Sequence, residues 1–153
     1  MKKNAWFPLS VLLLSAISLG HCSTGEEDAD LARLQGDWVV VSSKNQQETD
    51  FVGTLMKFEK NTWQSYNRSG QSEGVYTVVL RPDKVPKEID LTIIRPKAGK
   101  VVVQGIYSFG KDQLILAVSG SRDKNVRPKS FDAVIGGDND VRVFVLDRKK
   151  VKQ

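Results

Sequence analysis

The stretch Leu34-Gln35-Gly36-Asp37-Trp38-Val39-Val40-Val41-Ser42 decides the fold. Up to Gly36 the pattern is helical. Asp28 or Asp30 can cap a short helix over residues 28–35, acidic residues suit its first turn, and Leu31 and Leu34 share a face. Gly36 breaks that helix. Beyond it the period becomes two, so Trp38 and Val40 point to one side of a strand while Val39 and Val41 point to the other.

The same period recurs to the end of the chain. Strands are predicted over 37–42, 54–59, 62–67, 73–80, 88–95, 101–109, 113–119 and 141–146. Turn residues separate them: Asn61, Arg68-Ser69-Gly70-Gln71-Ser72, the Pro82 to Pro86 connection, Pro96 to Lys100, and Gly110-Lys111-Asp112. Ile89, Leu91 and Ile93 alternate onto one face. Eight short strands behind one short helix indicate an antiparallel up-and-down barrel or a sandwich. Closure removes the two long edges that an open sheet would expose.

The first 22 residues read as a leader. Lys2 and Lys3 precede an apolar run from Val11 to Leu19, which is short for a membrane span. Leu19-Gly20-His21-Cys22 resembles a bacterial lipobox that would make Cys22 an acylated first residue. It departs from that pattern at His21, where a small residue belongs. Ordinary cleavage after Gly20 is the alternative, and a retained N-terminal anchor is a third. The protein is therefore expected to be exported: periplasmic, secreted, or membrane-associated through Cys22. Residues 23–30 read as an acidic linker, 31–149 as the barrel domain and 150–153 as a basic tail.

Composition narrows the chemistry. The chain has 153 residues, 40% hydrophobic and 27% charged, with a formal charge of +5. That suits one globular domain. One Cys excludes an intrachain disulfide, and the one His, His21, lies in the leader. A mature domain without imidazole lacks the usual metal sites, triads and general bases, so no metal, cofactor or catalytic residue is expected. Carboxylates such as Asp37, Glu59, Glu73 and Asp90 show no spacing that singles out a pair. Arg122, Lys124, Arg127 and Lys129 form a basic loop, and Arg148, Lys149, Lys150 and Lys152 a basic end. Both read first as solvated surface, and export argues against nucleic acid as a partner. Phe131 reads as an anchor for the basic loop.

Leu34-Gln35-Gly36-Asp37-Trp38, Gly74-Val75-Tyr76, Pro86 to Leu91, Gly105-Ile106-Tyr107, Leu114-Ile115-Leu116, Arg127-Pro128 with Phe131, and Val143 to Arg148 together resemble a lipocalin-like domain family abundant in planctomycete bacteria. The resemblance spans residues 31–149. It implies a calycin-type barrel in an exported or lipidated protein, and it brings no catalytic residues. It also implies a barrel base in which Gly36 and Trp38 open the first strand and an Arg near the end of the last lies over the indole. Arg148 or Arg142 can take that place.

The barrel interior is the remaining site. Phe58, Trp63, Tyr76 and Tyr107, with Tyr66, Phe109 and Phe144, supply enough aromatic surface either to line a pocket or to fill it. Two readings follow. One is a non-enzymatic module that binds a small apolar or amphipathic ligand in its barrel. The other is a packed structural or interaction domain that works through its surface loops.

Overall fold

Eight strands close into a ring behind a single helix in a computed structural model that describes residues 24–44, 51–96, 98–120, 126–132 and 140–150. The helix α1 (Thr24–Leu34) leads into β1 (Gly36–Lys44), β2 (Leu55–Glu59), β3 (Thr62–Tyr66), β4 (Ser72–Arg81), β5 (Glu88–Arg95), β6 (Gly99–Phe109), β7 (Gln113–Ser119) and β8 (Val141–Arg148). Each strand pairs antiparallel with the next, and β8 pairs back onto β1 with Trp38 opposite Arg148. This is an up-and-down lipocalin-like barrel, and the sandwich is excluded. The leader with Cys22 and most of the basic loop, including Arg122 and Lys124, lie outside the described residues.

Strand parity sets the core. Trp38, Met56, Phe58, Trp63, Val78, Ile89, Leu91, Tyr107, Leu116 and Leu146 all turn inward and are buried. Tyr66 alternates to the other face of β3. The turns β2–β3, β4–β5 and β6–β7 share one end of the barrel with the start of β1 and the end of β8. The β3–β4 and β5–β6 turns share the opposite end with the end of β1, the start of β2, the end of β7 and the start of β8.

The first end is closed, and α1 closes it. A helix leaves its last four carbonyls without intrahelical donors. Here all four find partners. Gln35 donates its side-chain amide to the Leu31 carbonyl at 2.8 Å and its backbone N–H to Ala32 at 3.3 Å. Arg148 Nη2 donates to Arg33 at 2.6 Å, and Trp38 Nε1 donates to Leu34 at 2.8 Å. Arg148 Nη1 also reaches the Gln35 carbonyl at 2.7 Å, and its guanidinium carbon lies 4.3 Å from the Trp38 ring centroid. Of the two arginines that could lie over the indole, Arg148 does so. Gly36 has φ 103°, and a Cβ there would stand 3.3 Å from Arg148 Nη1, so glycine serves both the backbone and the close approach.

The helix is longer than its sequence pattern indicates. Thr24 to Asp30, expected as part of an acidic linker, are its first turns, and neither Asp28 nor Asp30 caps it. Asp30 is instead buried inside the closed end. It accepts a hydrogen bond from Tyr107 Oη at 2.7 Å and an ion pair from Lys87 Nζ at 2.6 Å. Burial and the Asp30 carboxylate hold the Tyr107 phenol well above its ordinary range.

A second small cluster lies outside the wall. Ile106, Ala117, Val141 and Val143 are buried there, with Phe131 packed against them. Arg127 secures this segment. It donates to the Gly105 carbonyl at 2.6 Å and to Ile89 at 3.2 Å, and it pairs with Asp90 at 2.6 Å and Glu88 at 3.3 Å. Arg127 is thus a strap fastener and not part of a solvated basic loop. Burial pushes the Asp90 carboxyl up, but hydrogen bonds from Arg81 and Arg127 outweigh it and hold the group below the ordinary carboxylate range.

Two expectations follow. Trp38→Ala removes a fully buried indole and the donor to Leu34, and is expected to cost about 3–5 kcal/mol in a urea titration; a variant as stable as the parent refutes this account of the closed end. Asp90 is depressed in the folded state, so its contribution is present above about pH 4, the unfolded value, and fades as pH falls through the folded one. Asp90→Asn is expected to be less stable at neutral pH and to lose less on acidification, which paired titrations at pH 7 and pH 3 compare.

Candidate functional site

Inward side chains do not fill the barrel evenly along its axis. Near the closed end they are large, and Trp38, Ile89, Tyr107, Leu114, Leu116 and Leu146 leave no gap to solvent. Toward the open end they shrink. Ser65 stands opposite Gly74 across β3 and β4, and Thr54, Ser119 and Gly120 occupy neighbouring positions. A Cβ on Gly74 would already meet the Tyr76 ring at 3.1 Å and Ile93 at 3.2 Å, so the Tyr76 side chain is laid over that glycine. The result is a cavity of about 550 Å³ in the upper half of the barrel. That falls within the usual range of small-ligand pockets.

Its two sides differ. Strands β5, β6 and β7 present Leu91, Ile93, Val101, Val103 and Val118, an aliphatic wall. Strands β2, β3 and β4 present Met56, Trp63, Ser65 and Tyr76, with Thr54 just before β2. Trp63 and Tyr76 lie 5.4 Å apart at an angle of 37°, and Phe51 meets Phe144 edge-on at 5.4 Å. Thr54, Ser65 and Ser119 are polar yet buried. The Trp63 ring forms part of the wall, while its indole nitrogen is buried and meets no acceptor among the described residues. Glu73, Arg95 and Arg142 reach the mouth.

The four residues expected to meet a ligand divide into two levels. Trp63 and Tyr76 line the cavity. Phe58 and Tyr107 do not. Phe58 sits below Trp63 at 5.4 Å and is buried, and Tyr107 is committed to Asp30 in the closed end. Parity places all four inside, but height along the axis separates them. Trp38 also lies in the closed end, away from the cavity. Arg142, the other arginine considered for the base, belongs to the mouth. The sequence reading missed the aliphatic wall and the buried hydroxyls. Small inward residues at 65, 74 and 120 were the available signal.

The arrangement is suited to holding a molecule. Among the described residues, no group of three His, Cys, Asp or Glu side chains is placed to hold a metal ion. Among the described residues that line the cavity, Glu73 is the sole carboxylate. Compared with protein-family models, with curated proteins and with solved structures, the chain finds no match.

The two levels predict different answers to the same substitution. Val103→Phe adds its ring to open space and is expected to leave stability within about 1 kcal/mol of the parent, or to raise it. Leu116→Phe adds bulk to the packed level and is expected to destabilise by about 1–3 kcal/mol. Denaturant titrations of the two variants test this, and equal losses would mean that the upper half is as full as the lower.

Proposed function

We propose that this protein is a non-enzymatic carrier that holds a small apolar or amphipathic ligand in the upper half of its barrel. The observation that carries the reading is the 550 Å³ cavity with an aliphatic wall on one side and aromatic rings with buried hydroxyls on the other. Burying one apolar face of a ligand against Leu91, Ile93, Val101 and Val103 supplies about 25 cal/mol per Å². Thr54, Ser65 and Tyr76 offer hydrogen bonds to polar atoms on its other face. Trp63 and Tyr76 contribute rigid rings that lose little entropy on contact.

The lipocalin-like family resemblance supports the same reading. Its address is the cell envelope or the exterior. The acylated form, held through Cys22, and the freely exported form are both compatible with the domain.

Native mass spectrometry of the protein purified from its own cells, beside the same protein after unfolding and refolding, tests the proposal. An adduct on the native sample alone, lost on denaturation and weakened in Val103→Phe, is the expected result. Two identical bare spectra would favour a domain that works through its surface.

A further inference from the structure

We infer that the open end of the barrel docks onto an anionic lipid surface through the β5–β6 hairpin. The proposal concerns where the mouth goes. It rests on the cavity reading only for what the docking accomplishes.

The outer face of a small soluble barrel is expected to be polar, and scattered valines on it need no explanation. Ile94 is different. It is 82% exposed, points away from the cavity, and stands opposite Lys100 across the hairpin. Val75, 51% exposed, faces the same side from the neighbouring strand β4. Thr92 to Val103 carries basic residues at 95, 97 and 100 and no acidic one. Among the described residues neither Arg95 nor Lys100 has an acidic partner, whereas Arg81 and Arg127, lower on the wall, are both paired. An exposed isoleucine beside the hairpin turn, with Arg95 and Lys100 lacking acidic partners among the described residues, complements a negatively charged headgroup layer over acyl chains.

The position matters as much as the composition. Arg95, Ala98, Val101 and Val102 of this hairpin also line the cavity. A surface that binds the tip therefore stands directly at the mouth. An apolar molecule can then pass between bilayer and barrel without crossing water. The closed end also has an exposed apolar residue, Val85, 98% exposed, but it sits beside the Asp83–Lys84 ion pair and far from the mouth. It provides the internal control.

The test places an environment-sensitive fluorophore on Ile94→Cys or on Val85→Cys, each in the full chain with Cys22→Ser. Vesicles of phosphatidylglycerol with phosphatidylcholine are compared with phosphatidylcholine alone. A position-specific signal is read, so attachment through the N-terminal segment does not mimic it. The expected result is a blue shift at position 94 with the anionic vesicles, none at 85, and loss of the shift at high salt. Arg95→Glu with Lys100→Glu is expected to weaken the vesicle affinity by at least about 25-fold, from about fivefold per basic residue, while melting like the parent. The proposal is overturned if 94 does not shift, if 85 shifts equally, or if the double variant binds unchanged. A shift without vesicles that grows with protein concentration would assign the patch to a second copy and also overturn it. Docking is read by the label at position 94, which points away from the cavity, and the cavity is read by the native-mass adduct on the protein with its lining intact, so the two readings fail separately.

Discussion

Four backbone carbonyls at the end of α1 are what the rest of the barrel is arranged to satisfy. A helix that stops inside a protein must find donors for them or lose their hydration without compensation. Gln35, Trp38 and Arg148 supply those donors between them. Two of the three stand at opposite ends of the strand sequence, so the cap is also the seam at which β8 meets β1. The cation at the helix C-terminus adds favourable dipole energy and a stacked contact on the indole. Gln35 extends the same device by bonding both backbone groups of Lys60, which holds the β2–β3 turn at its positive φ. Helix, seam and turn are one hydrogen-bonded unit.

Having one end sealed so thoroughly is compatible with leaving the other loose. The packed level contributes the large rings and the aliphatic layer, and the wall above it is held by strand pairing that runs without an edge. Arg127 adds an outside brace across β5 and β6 beside the packed level of Ile89. Small side chains can then occupy the upper positions of β3 and β4 without collapse of the sheet. A cavity built this way is a property of the taper in residue size.

Much of this was legible. Alternation places all eight strands to within a few residues, because one buried face imposes period two and a slip would turn every core residue outward. Gly36 and Trp38 as a closed base come from the family resemblance, which rests on a short Gly-x-Trp stretch that is local in sequence. What parity cannot report is height. Arg142 and Arg148 both point inward on β8, six residues and about 20 Å apart along a strand, yet one guards the mouth and the other seals the base. Phe58 and Tyr107 are separated from Trp63 and Tyr76 in the same way. Height depends on barrel shear, a property of the assembled sheet. The partners of Arg127 and Asp30 are long-range and equally hidden. The helix begins earlier than its apolar pattern suggests, since Asp30 earns burial through Lys87 and Tyr107, which sequence periodicity does not weigh.

The closed end has a directional consequence. β1 enters from it behind α1, and β8 finishes at it with Arg148 bonded to the helix. Both ends of the strand sequence therefore lie at the same pole, opposite the mouth. A copy held by its N-terminal segment would stand with its opening turned outward, toward whatever faces the surface that holds it. The polarity of the fold thus gathers both ends of the strand sequence at one pole and leaves the other to the mouth.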